Sequence, residues 1–228
     1  MAIAADTDGA LAIAWSEGTT VGIDLHDRSG ALVRTIQTSR YRVTHLAFAE
    51  DHSLWTLGWQ MDPSNPYIPD RSDYMIVRKF LPSGEQSGAY LPRSLFPRGL
   101  PPGEEPWQRH CITVAHDSVG FLVNSGMDSN KAEWVELDLN GKLTGRWRLD
   151  SFSYDLTVAL TSDGHVFLNH GVPGTRNHAL LTLDRVSSTW QPVQSAPNGR
   201  LVSSDGDALI FADNLDGGPI HLRWYQHP

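Results

Sequence analysis

Four short apolar runs separated by three polar breaks fill the first 37 residues, and no other feature of the chain constrains its fold as strongly. The runs are Ala2–Ala5, Leu11–Trp15, Val21–Leu25 and Leu32–Ile36, and the breaks are Asp6–Gly9, Glu17–Thr20 and Asp27–Gly30. Each run is too short for a helix, and each break carries the Asp, Gly, Ser or Thr of a tight turn. A sheet of four strands joined by hairpins follows. One such sheet cannot bury both of its faces, so it needs neighbours of the same kind.

The pattern returns along the chain. In the second unit the expected strands are Val43–Phe48, Leu54–Trp59, Tyr74–Phe80 and Gln86–Leu91. In the third they are His110–Ala115, Val119–Asn124, Glu133–Leu137 and Leu143–Leu149, and in the fourth Leu156–Leu160, His165–Asn169, Ala179–Leu183 and Thr189–Val193. The fifth unit holds Arg200–Ser203, Ala208–Phe211 and Ile220–Tyr225, and then stops without a fourth strand. First strands begin near residues 2, 43, 110, 156 and 201, and most steps fall within the roughly 40–50 residues of a propeller blade. Turn chemistry recurs in phase: Asp8-Gly9, Asp163-Gly164 and Asp205-Gly206 follow first strands, while Gly30, Gly84 and Gly141 follow third strands. The expected fold is all-β, a single β-propeller domain over residues 1–228 with units near 1–40, 41–91, 107–150, 151–195 and 198–228.

Two motifs carry a family resemblance. One is the Asp-Gly turn followed by an apolar strand, Asp8-Gly9 and then Leu11–Trp15. The other is a run ending in Asp-x-x-Gly, Ile23-Asp24-Leu25-His26-Asp27-Arg28-Ser29-Gly30, repeated as Glu136-Leu137-Asp138-Leu139-Asn140-Gly141. In these the chain resembles the NHL-like and TolB-like six-bladed propeller repeats of bacteria. The resemblance implies a scaffold with six blades, against about five units counted here, the last incomplete.

Composition narrows the function. Lys plus Arg number 18 against 26 Asp plus Glu, a formal net charge of −8, which disfavours a nucleic-acid binder. Cys111 is the only cysteine, so an intrachain disulfide is excluded and a cysteine-based metal site nearly so. No apolar stretch reaches the length of a membrane span. No signal peptide is visible, which makes cytoplasmic the default compartment, with a truncated exported precursor as the alternative. Asp6-Thr7-Asp8-Gly9 and Asp213–Gly217 lack the spaced ligands of a calcium loop and read as turns. The histidines show no metal-ligand spacing, and neither a nucleophile elbow nor a phosphate-binding loop is present. The expectation is no metal and no cofactor.

Antiparallel strands sort the connections onto two faces. Links between first and second and between third and fourth strands lie on one face, and all are short. The long insertions Gln60–Asp73 and Pro92–Pro106 lie on the other. Long loops on one rim of a rigid scaffold are where binding concentrates. The candidate ligand-binding residues there are Trp59, Tyr67, Asp70, Arg71, Arg93, Arg98, Trp107, Arg109 and His110, with Arg109 and His110 opening an inner strand. Tyr41, Arg42 and His45 hold the corresponding place one unit earlier. Aromatic rings with arginines and carboxylates suit a peptide, a protein surface or a small ligand. The expected function is a non-catalytic binding scaffold using this rim. The alternative is a propeller enzyme, a metal-dependent lactonase-type hydrolase or a lyase, with Asn124, Asp155 and Asn169 among its ligands.

Overall fold

The computed structural model of the chain describes residues 1–96, 112–115, 117–124, 131–150, 156–172, 178–197, 199–213 and 219–226. They form five antiparallel sheets in chain order. Blade 1 holds β1 (Ala2–Ala5), β2 (Leu11–Glu17), β3 (Thr20–His26) and β4 (Leu32–Gln37). Blade 2 holds β5 (Tyr41–Phe48), β6 (Leu54–Gln60), β7 (Met75–Phe80) and β8 (Gln86–Pro92). In blade 3 the strands are β9 (Ile112–Ala115), β10 (Ser118–Asn124), β11 (Lys131–Asp138) and β12 (Leu143–Asp150). Blade 4 contains β13 (Leu156–Leu160), β14 (Val166–Gly171), β15 (His178–Asp184) and β16 (Thr189–Pro192). The three strands of blade 5 are β17 (Arg200–Asp205), β18 (Ala208–Asp213) and β19 (His221–Gln226). A single 3-10 turn, Arg93–Leu95, is the helical structure among the described residues. The fold is a β-propeller. Its described residues form five blades, where the resemblance implied six.

Most observed strands outrun the apolar runs by a residue or two. Glu17 and Thr20, placed in a break by composition, face each other as the last pair of the β2–β3 ladder, with Gly18 and Thr19 left as the turn. Ladder hydrogen bonds continue until the chain must reverse, whatever the polarity of the side chains. The expected start of β9 at His110 lies outside the described residues.

First strands sit side by side, β1 against β5, β5 against β9, β9 against β13 and β13 against β17. They surround a central cavity of about 850 Å³ lined by all five, including His45, Thr113, Thr157, Val202 and Ser204. Four apolar cores join successive blades. Ala12, Ala14, Ile23 and Ile36 of blade 1 meet Leu46, Leu54 and Phe80 of blade 2. Trp55, Leu57, Trp59 and Ile76 meet Phe121, Val123, Val135 and Leu137 of blade 3. Leu122, Trp134 and Leu149 meet Leu156, Val158 and Leu168 of blade 4. Phe167 and Leu180 meet Leu201, Leu209 and Phe211 of blade 5. Among the described residues no fifth core joins blade 5 to blade 1. Ile3 and Leu32 of blade 1 and Leu222 and Trp224 of blade 5 remain exposed.

The short turns share one geometry. In six of them, beginning at Asp6, Asp27, Ala49, Leu81, Asp138 and Thr161, the first residue donates its N–H to the carbonyl four residues on, and the fourth donates back to the first. The fourth residue takes a left-handed φ of 82–88° at Gly9, Gly30, Gly84, Gly141 and Gly164, and of 59° at His52. Glycine adopts that conformation without a Cβ clash, which is the physical reason for the in-phase Asp-Gly signature.

Candidate functional site

The long-loop face of blade 2 is built from the start of β5, the end of β6 and the connection between β6 and β7. Tyr41 pairs with Gln60 and Arg42 with Trp59 across the β5–β6 ladder. Alternation then sends Tyr41 and Arg42 to opposite faces of the sheet. The Tyr41 ring is fully buried, and its hydroxyl donates to the Ile76 carbonyl at 2.8 Å; burial pushes its pKa well above the ordinary tyrosine value. Arg78 lies 4.0 Å above that ring and donates to the Gln60 and Gln86 side-chain carbonyls at 2.9 and 3.2 Å. Arg42, on the other face, stacks 4.9 Å from the Trp59 ring.

Trp59 is buried in the core between blades 2 and 3, and the chain leaves it into a loop with its own hydrogen bonds. The Met61 N–H donates to the Arg40 carbonyl at 2.8 Å, Asp70 N–H to the Gln60 carbonyl at 2.7 Å, and Asp62 N–H to the Ile68 carbonyl at 3.0 Å. Met61 and Pro69 form an isolated antiparallel bridge. Asp62 caps the turn by accepting from the Ser64 N–H at 2.8 Å and from its hydroxyl at 2.5 Å, contacts that hold its carboxyl below the usual range. Tyr67 N–H donates to Asn65 Oδ1 at 3.1 Å. The outcome is a folded loop whose apex leaves Tyr67 74 % exposed, with Ile68 exposed beside it.

Five of the nine residues singled out by sequence fall within the described structure. Trp59 is a buried support and Tyr67 an exposed ring. The Asp70 carboxylate accepts from the Ser72 N–H at 2.9 Å and lies 3.8 Å from Arg40, so it fixes the loop. Arg71 is exposed on the same loop. Arg93 is half-buried in the 3-10 turn after β8, and its N–H donates to the Tyr74 carbonyl at 2.9 Å. Arg98, Trp107, Arg109 and His110 lie outside the described residues, as does Asp155. Asn169, a candidate metal ligand under the enzyme alternative, has both ends of its carboxamide engaged. It accepts from the Leu201 N–H at 3.1 Å and donates to the Ala179 carbonyl at 3.3 Å.

Sequence reasoning undervalued Arg42. Burial lowers its pKa from the ordinary arginine value, while neighbouring Tyr67 acts in the opposite sense. Its signal was present: a cation at the start of a mostly apolar inner strand, in register with a tryptophan.

On the opposite face, Asp6, Asp8 and His52 bring three ligand-type atoms within 4.8 Å of one another. Their bonds account for them. Asp6 accepts from the Thr7 N–H and from His52 Nδ1, each at 2.7 Å, and Asp8 accepts from the Ala10 N–H at 2.9 Å. The group joins the first turn of blade 1 to that of blade 2. Similar polar ties cross the other closed interfaces. Arg146 donates to the Leu95 carbonyl at 3.4 Å, Arg185 grips buried Glu136 at 2.6 and 3.0 Å, and Ser204 donates to the Leu160 carbonyl at 2.8 Å.

No family model and no curated protein sequence matches this chain. Solved structures do match its fold. The β-propeller domain of the Trilobed protease from Pyrococcus furiosus, described as having an open velcro topology, is 10% identical with a TM-score of 0.62; the match covers 99% of this chain and 68% of that one. Hydrazine synthase from Kuenenia stuttgartiensis is 12% identical with a TM-score of 0.57, covering 92% of this chain and 60% of that one. TolB from Acinetobacter baumannii is 14% identical with a TM-score of 0.56, covering 99% of this chain and 51% of that one. The chain thus spans about half to two thirds of these structures. At such identities the likeness carries the architecture and no activity. No helix among the described residues is long and apolar enough to cross a membrane.

Proposed function

We propose that this chain is a non-catalytic binding scaffold that holds a peptide, protein or small-molecule ligand on its long-loop rim, with Tyr67 and Arg71 at the centre of the surface and buried Trp59 as its support. One observation carries the reading. The Met61–Tyr74 loop is internally hydrogen-bonded, yet it exposes Tyr67 and Ile68 instead of burying them. An aromatic ring fixed on an ordered loop loses little entropy when it binds, and such rings dominate interface energetics. Asp70 and Arg93 support this surface. Arg98, Trp107, Arg109 and His110, outside the described residues, belong to the proposed surface by their place in the sequence alone.

The test is selection of a displayed peptide library on the purified protein, followed by fluorescence anisotropy of the recovered peptides. Replacing residues 62–72 with a short turn, which keeps buried Met61, should leave the protein folded and abolish binding. Tyr67→Ala should weaken it by about tenfold or more. Peptides that bind the shortened variant as tightly as the original would overturn the rim as the site, and a selection that yields none would overturn the scaffold reading.

A further inference from the structure

Resting on that reading, we propose that Arg42 is the point at which the rim recognises an oxyanion, a carboxylate or phosphate group carried by the ligand.

The geometry behind this is a difference among arginines. Arg185 reaches Glu136 at 2.6 Å, Arg146 reaches Glu133 at 2.5 Å, and Arg223 reaches Asp213 at 2.8 Å. Arg40 lies 3.8 Å from Asp70, and Arg78 donates to two glutamine carbonyls. Arg42 is half-buried, and its side chain makes no hydrogen bond and no ion pair within the described structure. Its Nε is buried with no acceptor. Its defined contact is the face of Trp59, 4.9 Å away.

A guanidinium presents five donors in a rigid fork shaped for two oxygens of one anion. Withdrawing the Nε donor from water without an acceptor is unfavourable, and the stack on Trp59 offsets part of the cost. Neighbouring carboxylates do not complete the fork. Asp62 is turned onto Ser64, Asp70 onto Ser72, and Asp73 onto the Ser94 N–H and hydroxyl at 2.8 Å. Each holds its own loop in shape and leaves the cation unneutralised. Tyr67 is close enough to act electrostatically on Arg42, so one ligand can lay an apolar part on Tyr67 and direct an acidic group to the guanidinium. A carboxylate and a phosphate both fit the fork bidentately.

Sodium acetate and sodium phosphate are the probes, with sodium chloride at matched ionic strength as the reference. The readout is the arginine Nε–Hε resonance of Arg42, assigned by its disappearance in Arg42→Gln, together with tryptophan fluorescence from the Trp59 stack. A saturable response to acetate, to phosphate or to both, absent with chloride and absent from the fluorescence of Arg42→Gln, supports the assignment and identifies the oxyanion. Arg42→Lys keeps the charge and loses the fork, and should weaken the response by about tenfold. That variant also serves if Arg42→Gln does not fold. A response no different from chloride, or one that Arg42→Lys leaves unchanged, overturns the proposal. Tyr67→Ala should retain the anion response. An original chain that selects no peptide yet gives the anion response would therefore count against the rim reading alone, and one that binds peptides without an anion response against Arg42 alone.

Discussion

The two faces of the propeller use the same residue types to opposite ends. On the short-turn face, Asp27 accepts from Ser29 and Ala31, Asp138 from Asn140 and Lys142, and Asp163 from Thr161 and His165. Other polar groups tie neighbouring blades together, as in the pairing of His52 with Asp6. The long-loop face of blade 2 also spends its carboxylates on its own backbone, through Asp62, Asp70 and Asp73. It leaves over an exposed tyrosine and an arginine without an acceptor. One face is chemically closed and holds the blades in place. The other retains groups whose partners must come from elsewhere.

The contrast makes its largest claim at Gly141 on the closed face. Its φ is 84°, and an added Cβ would stand 2.0 Å from the Tyr90 ring of blade 2. Gly141→Ala combines a disfavoured backbone with a clash across an interface, and should cost about 2–4 kcal/mol in urea unfolding. Tyr67→Ala on the open face should stay within about 0.5 kcal/mol of the original, because an exposed ring contributes little to folding. Similar costs for the two changes would erase the distinction between the faces. Next in size is Arg185→Met, which leaves the Glu136 carboxylate buried with the Trp134 indole N–H, at 2.7 Å, as its remaining described partner. Arg185 is itself partly exposed, which softens the loss, so about 2 kcal/mol is expected. Glu136→Gln in the same chain should recover part of it. If the double variant is no more stable than Arg185→Met, the cost lies in the contact of the Arg185 guanidinium with the Trp147 ring, 6.0 Å away, and not in the stranded charge.

Architecture was legible because each blade repeats a local rule. Short apolar runs fix the strands, and a glycine at the left-handed position fixes each turn, so even β19 could be placed from Ile220–Tyr225 with a shift of one residue. Strand ends were less legible because backbone pairing continues through polar residues such as Glu17 and Thr20. The two faces were also legible, since strand direction alone sorts the connections. Which rim residues remain available was hidden. Asp70 and Tyr67 look equally suited to binding in sequence, but Asp70 is consumed by Ser72 and Arg40 while Tyr67 is not. Arg42 differs from Arg185 only in what the fold places opposite it. Such pairings join residues up to 51 positions apart, and no local pattern encodes them.

The smallest expected effect tests whether the closed face is closed at every pH. His52 occupies a turn position that is glycine in the five sister turns, and it bears the left-handed backbone there with a side chain attached. Its compensation is the bond to Asp6, whose side chain is only 4 % exposed. Asp8 and Asp51 add their charges to that of Asp6, and the bond to Asp6 is the main cause raising the His52 pKa above its ordinary value of 6.5. A histidine whose folded pKa is raised contributes stability that is fully present below its unfolded value and is lost as pH climbs through the folded value. His52→Gly removes both the strain and the pair. The stability of the original chain relative to His52→Gly should therefore rise as pH falls through the raised folded value and level off below the ordinary value of 6.5, measured by denaturant unfolding at each pH. Above the folded value the imidazole is neutral, so the substitution gives up no ion pair while it relieves the left-handed backbone. A stability difference that does not change with pH would mean that the first two blades are held by their apolar core, with His52 merely tolerated in its turn.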